Sequence, residues 1–426
     1  MNRRYRIACL VTHPIQYQAP LFRYLAEDSR LELEVFFLSS MSLEPYYDSG
    51  FGARVEWDTP LLEGYKHSFL PAFGSNRHLT FWRPLTHGLR DALRRGRFDA
   101  LWVHGYAHQG LLRGIAAARR LGIKVLMRGD SQLQGFPRRA NLLAAKRILL
   151  TRLFRTVDGC LAVGARNRDY YRYYGVPAER IFMMPYAVGN ASFQAAAARA
   201  HPSRERLRAS LGLPPGRPVI LYASKFQTHK RPQDLLEAFI RLSPDGRAEP
   251  PAVLLFVGDG EERPALERRI SALGWSAIQI LGFRNQSELP ALFDLCDIFV
   301  LPSAVEPWGM VINEVMNAGK PIIASDRVGA VSDLVHDGVN GFVFPAGDID
   351  ALRERLERLV ANPMLTQRMG LASLRLIASH NFESDRAGLL EALEFLTATA
   401  PQAHPSNGKR TGLRFTTECE VRDLNR

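Results

Sequence analysis

Little in this 426-residue chain invites covalent cross-linking or metal capture. Its four cysteines, Cys9, Cys160, Cys296 and Cys419, lie far apart, so neither a disulfide framework nor a zinc-ligand pattern is expected. A reducing cytoplasm suits them. Long apolar runs are scarce as well. The segment MNRRYRIACLVTHPIQYQAP is basic, but its apolar run is short and is broken by His13, Pro14 and Gln16, so neither a signal peptide nor a membrane span is expected. Repeats of solenoid length are missing. Acidic residues are in deficit: 43 Asp and Glu stand against 55 Lys and Arg, a net charge of +12. That balance suits an anionic partner, which is nucleic acid, an anionic membrane surface or a phosphorylated substrate. No recognised nucleic-acid motif or aromatic stacking platform accompanies the basic residues, so no nucleic acid is expected.

What is present is a soluble-protein composition, 46% hydrophobic, in a chain long enough for two domains with full cores. Apolar β-rich runs alternate with longer helical stretches throughout, the pattern of βα units around parallel sheets. RIACLVT, LEVFFL, DALWVH, KVLMR and GCLAVG predict the first set of strands; VILYAS, AVLLFVGDG, IQILGF, DIFVLPS, PIIAS and GFVFP predict the second. Gly122 and Gly175 are placed to end helices. Residues 41–80 break the rhythm, carry Tyr46, Tyr47, Phe51, Trp57 and Tyr65, and read as an excursion over the domain surface. The expected division is residues 1–192, a link over 193–217, a second domain over 218–400, and a polar, proline-containing, disordered tail over 401–426. Two tandem doubly wound domains place a ligand cleft at the carboxyl ends of their sheets.

The stretch PSAVEPWGMVINEVMNAGKPIIASD, residues 302–326, is the most informative. Gly309 frees a turn, Met310 to Ala318 can form a helix, and Gly319 ends it before Pro321. A helix N-terminus there favours an anion such as phosphate. Glu314 falls on the apolar face shared by Met310, Val311 and Ala318, where a buried carboxylate needs partners. Glu306 lies in the preceding loop. Elsewhere, strand VILYAS leads to Lys225 and Lys230, two cations suited to a diphosphate leaving group or, more plainly, part of a basic loop beside Arg231. In FVGDG, Gly258 and Gly260 fit a tight turn.

Taken together and in order, SKFQTHKRPQDLLEAF, LLFVGDGEERPALERR, IQILGFRNQSELPALFDLCDIFVLPS and EPWGMVINEVMNAGKPIIASD resemble the donor domain of glycosyltransferase family 4. The resemblance runs from residue 218 to about 395 and extends more weakly into DGCLAVGARNRDYYRYYGVPAERIFMMPYAVGN. It implies an α/β GT-B fold, two Rossmann-like domains with mainly parallel sheets facing across a cleft, with the last helix packing back on the first domain. It also implies roles. Glu306 takes the carboxylate position at the donor sugar, and Glu314 the one that holds ribose hydroxyls. Lys225 and Lys230 neutralise the diphosphate, with lysine at 225 where arginine is commoner and Ser224 where glycine is usual. The backbone of Gly309, Met310 and Val311 meets sugar or phosphate, and that of Gly282, Phe283 and Arg284 the base.

The implied activity is sugar transfer with retention of anomeric configuration. The donor is a nucleoside-diphosphate sugar acting as co-substrate; no metal or other cofactor is required, because lysines and a helix N-terminus carry the leaving-group charge. The acceptor is a glycan or lipid-linked saccharide, as in polysaccharide or cell-envelope synthesis. Acceptor-side candidates are His13 and Gln16 of THPIQYQAP, His104 and His108 of LWVHGYAHQG, and Arg128 and Asp130 of KVLMRGDSQL, where many relatives carry a histidine instead. A capping or packing role for His13, and a structural Arg128/Asp130 pair, are the plain alternatives. The basic segment from Arg138 to Arg155 interleaves leucines and isoleucine with arginine and lysine, as an interfacial helix does, or as a surface helix with a solvated basic face does. Cytoplasmic residence with peripheral contact to the inner leaflet follows from the first. Other readings are a nucleotide-sugar epimerase on the same fold, a basic nucleic-acid-binding protein, and a membrane scaffold with a dead site.

Overall fold

A computed structural model describes residues 3–135, 139–243 and 250–398; the tail over 401–426, with Cys419, and Arg138 lie outside them. Two parallel sheets form the two halves. The first has seven strands, in spatial order Ile181–Met183, Gly159–Ala162, Lys124–Gly129, Ala100–His104, Tyr5–Val11, Leu31–Phe37 and Lys66–Phe69. The second has six: Ile278–Gly282, Val253–Val257, Val219–Ala223, Ile298–Leu301, Ile322–Ser325 and Gly341–Phe344. Every pairing within both sheets is parallel. Numbered along the chain, the second sheet runs third, second, first, fourth, fifth, sixth, which is the doubly wound Rossmann order.

The central strands are continuous apolar runs because both faces are covered by helices, whereas outer strands such as Leu31–Phe37 and Ile278–Gly282 carry polar residues and are only partly buried. Val219–Ala223 and Val253–Val257 are buried at every position. Leu221, Leu255 and Phe299 pack with Ile312 and Val315 on one face, while Ile220, Leu254 and Val300 pack with Leu235, Phe239 and Leu352 on the other. The helix-ending glycines behave as their sequence position predicts: Gly122 and Gly175 take positive φ just after Gln109–Arg120 and Ala165–Tyr173. None of the described helices is long and apolar enough to cross a membrane.

Of three features, the first and third depart from the sequence reading, and the second, the last helix packing back on the first half, agrees with it. The stretch 193–217 is not an open link. Asn190–Ala200 and Arg204–Ser210 are helices fastened to the second half by Arg204 to Asp297 at 2.8 Å and Gln194 to Asn317 at 2.9 Å, so the crossing lies near residues 186–190. The chain crosses again near 378–382, and the last helix, Phe382–Ala398, buries Leu389, Leu390 and Leu393 in the core around Cys9 and Trp102 of the first half. Third, the excursion over 41–80 does not stay on its own domain. It supplies the edge strand Lys66–Phe69, and its hairpin Tyr46–Asp48/Ala53–Val55 leads a segment that reaches the second sheet. Contacts more than 170 residues apart hold it there, beyond the reach of any local pattern.

Candidate functional site

The carboxyl ends of both sheets open on one cavity of about 570 Å³, the size of a small-molecule site. From the first half it is lined by Gln16, Tyr17, Arg128 and Asp130, and from the second by Lys225, Lys230, Glu306, Gly309, Met310 and Val311. A neighbouring space of about 110 Å³ is bounded by Gly258, Phe283, Arg284, Val311 and Glu314.

Local backbone chemistry explains the placement of the donor-side residues. Gly309 has φ of +96° and caps the helix Met310–Met316. A Cβ there would stand 3.1 Å from both Leu301 and Val328, so only glycine suits the turn. At Gly258, φ is +133° and a Cβ would fall 1.9 Å from the Ser224 carbonyl oxygen; the strand ends carrying Lys225 and Gly258 meet backbone to backbone. A short turn over Thr228–Lys230, followed by Arg231 in the left-handed region, delivers Lys230 to the cavity. Its ammonium donates to Glu306 Oε2, and both side chains are largely buried.

Lys225 is also carboxylate-paired, with a partner that the sequence reading did not name. Its Nζ lies 2.8 and 3.0 Å from the two oxygens of Asp48 and 4.7 Å from the centroid of the Phe51 ring. Glu314 is buried, and among the described residues the hydrogen bond its carboxylate accepts, from Gln286 Nε2, is long at 3.4 Å. Desolvation pushes its pKa up to about 8, so near neutrality it is mostly a neutral carboxyl, able to donate as well as accept. Arg284 turns to Glu288 at 3.0 Å. Tyr17, 37% exposed, lines both spaces and bridges the two carboxylates' surroundings.

The acceptor-side candidates separate. Gln16, Arg128 and Asp130 line the main cavity. His13, His104 and His108 do not line it. His108 caps the helix Gln109–Arg120, its Nδ1 accepting from Gly110 N at 2.9 Å while Nε2 donates to the Arg83 carbonyl at 2.9 Å. With both nitrogens occupied, its acceptor-side assignment is corrected to a cap. His104 packs against Trp102 and meets Gln18 at 3.0 Å; burial, then the Arg128 charge, keep it neutral. His13 contacts Thr12 at 3.0 Å, and burial lowers its pKa to about 4, so it is a neutral packing group in this geometry.

Arg128 does not pair with Asp130. Its Nη2 donates to Asp385 Oδ1 at 2.6 Å and to the carbonyls of Met184 and Pro185 at 2.9 and 3.2 Å. The partner, 257 residues away on the last helix, has no signal in local sequence. Both side chains are buried at the cavity floor, and burial pushes the Asp385 pKa up to about 7 against the downward pull of Arg128. Asp130 is raised as well, first by burial and then by the charge of Glu306. The arrangement is therefore a donor side on which Lys225 and Lys230 are each held by a carboxylate, facing a floor on which Arg128 is held by Asp385.

Comparison with known proteins matches the sequence to two family models. The model for glycosyl transferases group 1 fits residues 203–373, and that for a glycosyl transferase 4-like domain fits residues 21–187. The chain is 34% identical over 217 residues to the alpha-D-kanosaminyltransferase of Streptomyces kanamyceticus, which covers 50% of this chain and 54% of that protein. It is 28% identical over 328 residues to a D-inositol 3-phosphate glycosyltransferase of Streptomyces scabiei, covering 72% and 70%. In most of these curated relatives, only about half of their length is matched. Among solved structures, Anabaena HepE in complex with UDP and glucose superposes with a TM-score of 0.68 at 17% identity, covering 92% of this chain and all of that one. A glycosyltransferase of Rickettsia africae gives 0.69 at 16%. At such identities the likeness is one of fold.

Proposed function

Because the chain belongs to the family-4-like glycosyltransferases of GT-B architecture, we propose that it transfers a sugar from a nucleoside diphosphate to a hydroxyl of a glycan or lipid-linked acceptor, retaining the anomeric configuration. The observation that carries the reading is the meeting of Lys225, Lys230, Glu306 and the helix start at Gly309 in one cavity between the sheets. Departure of the diphosphate builds negative charge on its bridging oxygen. Two lysines held at strand ends, with the backbone N–H groups of Met310 and Val311 at the helix start, stabilise that charge. Breaking its pair with Glu306 frees Lys230 for phosphate, and leaves Glu306 to orient the sugar and support the positive charge that develops at the anomeric carbon.

Gln16, Arg128 and Asp130 face that carbon from the other half and form the acceptor side. Since Asp385 neutralises Arg128, the floor suits a hydroxyl-bearing acceptor more than an anionic one. Glu314, close to neutral, meets the ribose hydroxyls; Phe283 and Arg284 flank the base. The UDP and glucose of the HepE complex support a nucleotide-sugar donor and make UDP the first base to try. The diphosphate's countercharges come from the protein in this reading, with no bound cation required.

Membrane contact is part of the proposal. Among the described residues, exposed large apolar side chains fall on the first half with only Val339, Met364 and Leu371 elsewhere. On Ala140–Phe154, Ile148 and Leu149 are 54% and 64% exposed, and Arg147 and Arg152 share the helix with no acidic residue. Anionic lipid attracts the charge and accepts the apolar groups. The test is calorimetry of the whole protein with UDP-, GDP-, ADP- and TDP-sugars, followed by release of the nucleotide with and without a saccharide acceptor. Acceptor-dependent release supports transfer; donor conversion without acceptor supports an epimerase; no binding of any donor refutes the reading.

A further inference from the structure

The segment after the first hairpin is fixed to the second sheet by a set of contacts too specific for a wandering loop. Asp48 grips Lys225 through both oxygens while its Oδ1 also accepts from the backbone of Gly50 and Phe51 at 2.8 and 3.0 Å. Gly50 lies so close that a Cβ would stand 2.7 Å from Lys225 Cδ, and a Cβ on Gly260 would stand 3.0 Å from the Gly50 carbonyl oxygen. The strap thus sits directly on the lysine and on the Gly258–Gly260 turn. Further along, Phe51 and Trp57 present edges to Phe283 at centroid distances of 4.9 and 6.2 Å. The Glu56 carbonyl accepts from Asn285 Nδ2 at 2.6 Å, and Asp58 accepts from Ser287 N at 3.2 Å.

Two consequences follow from the geometry. The carboxylate of Asp48 holds Lys225 where an anionic ligand would need it, with comparable oxygens at hydrogen-bond distance. And the space bounded by Phe51, Trp57, Phe283 and Glu314 is about 110 Å³, well under the roughly 300 Å³ at which small-molecule pockets begin. Phe51 and Trp57 line both this space and the main cavity, so they stand against whatever enters it.

We propose that residues 46–58 are a working part of the donor site contributed by the opposite half: Asp48 occupies the diphosphate position on Lys225 and yields it to the incoming nucleotide, and Phe51 and Trp57 then form one wall of the base pocket. Donor affinity is set by this exchange of one anion for another, and base selectivity by aromatic side chains from the acceptor half. The proposal rests on the nucleotide-sugar reading above.

The test uses the full chain and calorimetric titration with UDP, GDP, ADP and TDP, and separately with inorganic pyrophosphate. Asp48→Asn keeps the acceptor for the Gly50 and Phe51 N–H groups and loses the charge on Lys225. It is expected to tighten the nucleoside diphosphate that the wild type prefers by about twofold to fivefold, the range of a partly exposed ion pair. Pyrophosphate tightens in parallel. Trp57→Ala is expected to weaken the nucleotide by about tenfold and to leave pyrophosphate unchanged. Equal or weaker nucleotide binding by Asp48→Asn, or equal losses of nucleotide and pyrophosphate by Trp57→Ala, overturns the strap's role while the wild type's binding keeps the donor reading. Failure of wild type and Asp48→Asn alike to bind all four nucleotides overturns both.

Discussion

Replacing Glu314 by glutamine separates the energetics of the empty donor site from its use. The carboxyl is buried with one long hydrogen bond, and its pKa rises to about 8 from an ordinary 4.5. A raised carboxyl pKa means that the folded state binds a proton which the unfolded chain has released. Its contribution is fully present below about pH 4.5 and declines as pH climbs through 8. At 1.36 kcal/mol per unit of separation, the neutral amide should be the more stable form by roughly 1 kcal/mol at pH 5 and on the order of 3 kcal/mol at pH 7. Urea unfolding of the two proteins from pH 5 to 8, read as the difference between them, cancels the titration of Asp385 and other shared groups. A difference that stays flat across that range would refute the buried-carboxyl argument. In the same samples Glu314→Gln should bind nucleotide at least about tenfold more weakly, since an amide cannot serve ribose hydroxyls in the same way. More stable when empty and poorer when loaded is the signature of a group placed for a ligand rather than for the fold.

Other outcomes follow from the same geometry. Glu306→Ala should leave the fold intact and reduce transfer by roughly 100-fold or more, measured as acceptor-dependent nucleotide release; an unchanged rate removes Glu306 from the chemistry. Asp385→Ala leaves Arg128 charged and unpaired in a buried setting and should cost about 3–5 kcal/mol, seen as a lowered unfolding midpoint together with faster amide exchange in Phe382–Ala398. Gly258→Ala forces a methyl onto the Ser224 carbonyl and should destabilise the second half by more than about 2 kcal/mol, by chemical denaturation. Replacing Ile148 and Leu149 by glutamate should abolish co-sedimentation with vesicles containing anionic lipid while nucleotide binding is unaltered; full retention on the vesicles discounts the helix as the contact.

The donor half was largely legible before any coordinates. Its central strands are buried on both faces and so appear as unbroken apolar runs. The signals for Gly258, Gly309 and the carboxylate spacing from Glu306 to Glu314 are local, and the structure gathers these residues at one edge. The other half yielded its strands and hid its site. Histidines at strand ends looked available, yet His108 is consumed by a cap whose second partner is a carbonyl in a distant loop, and His104 is turned into the core. The decisive partners are remote: Asp48 finds Lys225 across 177 residues and Arg128 finds Asp385 across 257. No periodicity or motif reports an ion pair of that span, which depends on how two halves face each other.

The double crossing has a bearing on how the molecule comes apart and moves. Near residues 186–190 and 378–382 two chain segments lie side by side, with Asn190 Nδ2 donating to the carbonyls of Ile377 and His380 at 2.9 and 3.1 Å. Beyond them the last helix fits so closely that a Cβ on Gly388 would stand 1.9 Å from the Met183 carbonyl oxygen. A fragment ending at residue 190 would therefore lack part of its own interior, exposing Met184 and Phe182, and would not be a faithful free-standing first half. A paired connection also resists twisting that a single strand would permit. Any relative motion of the halves has to bend both segments together, and widening the cavity that Asp48 and Lys225 line has to part that ion pair.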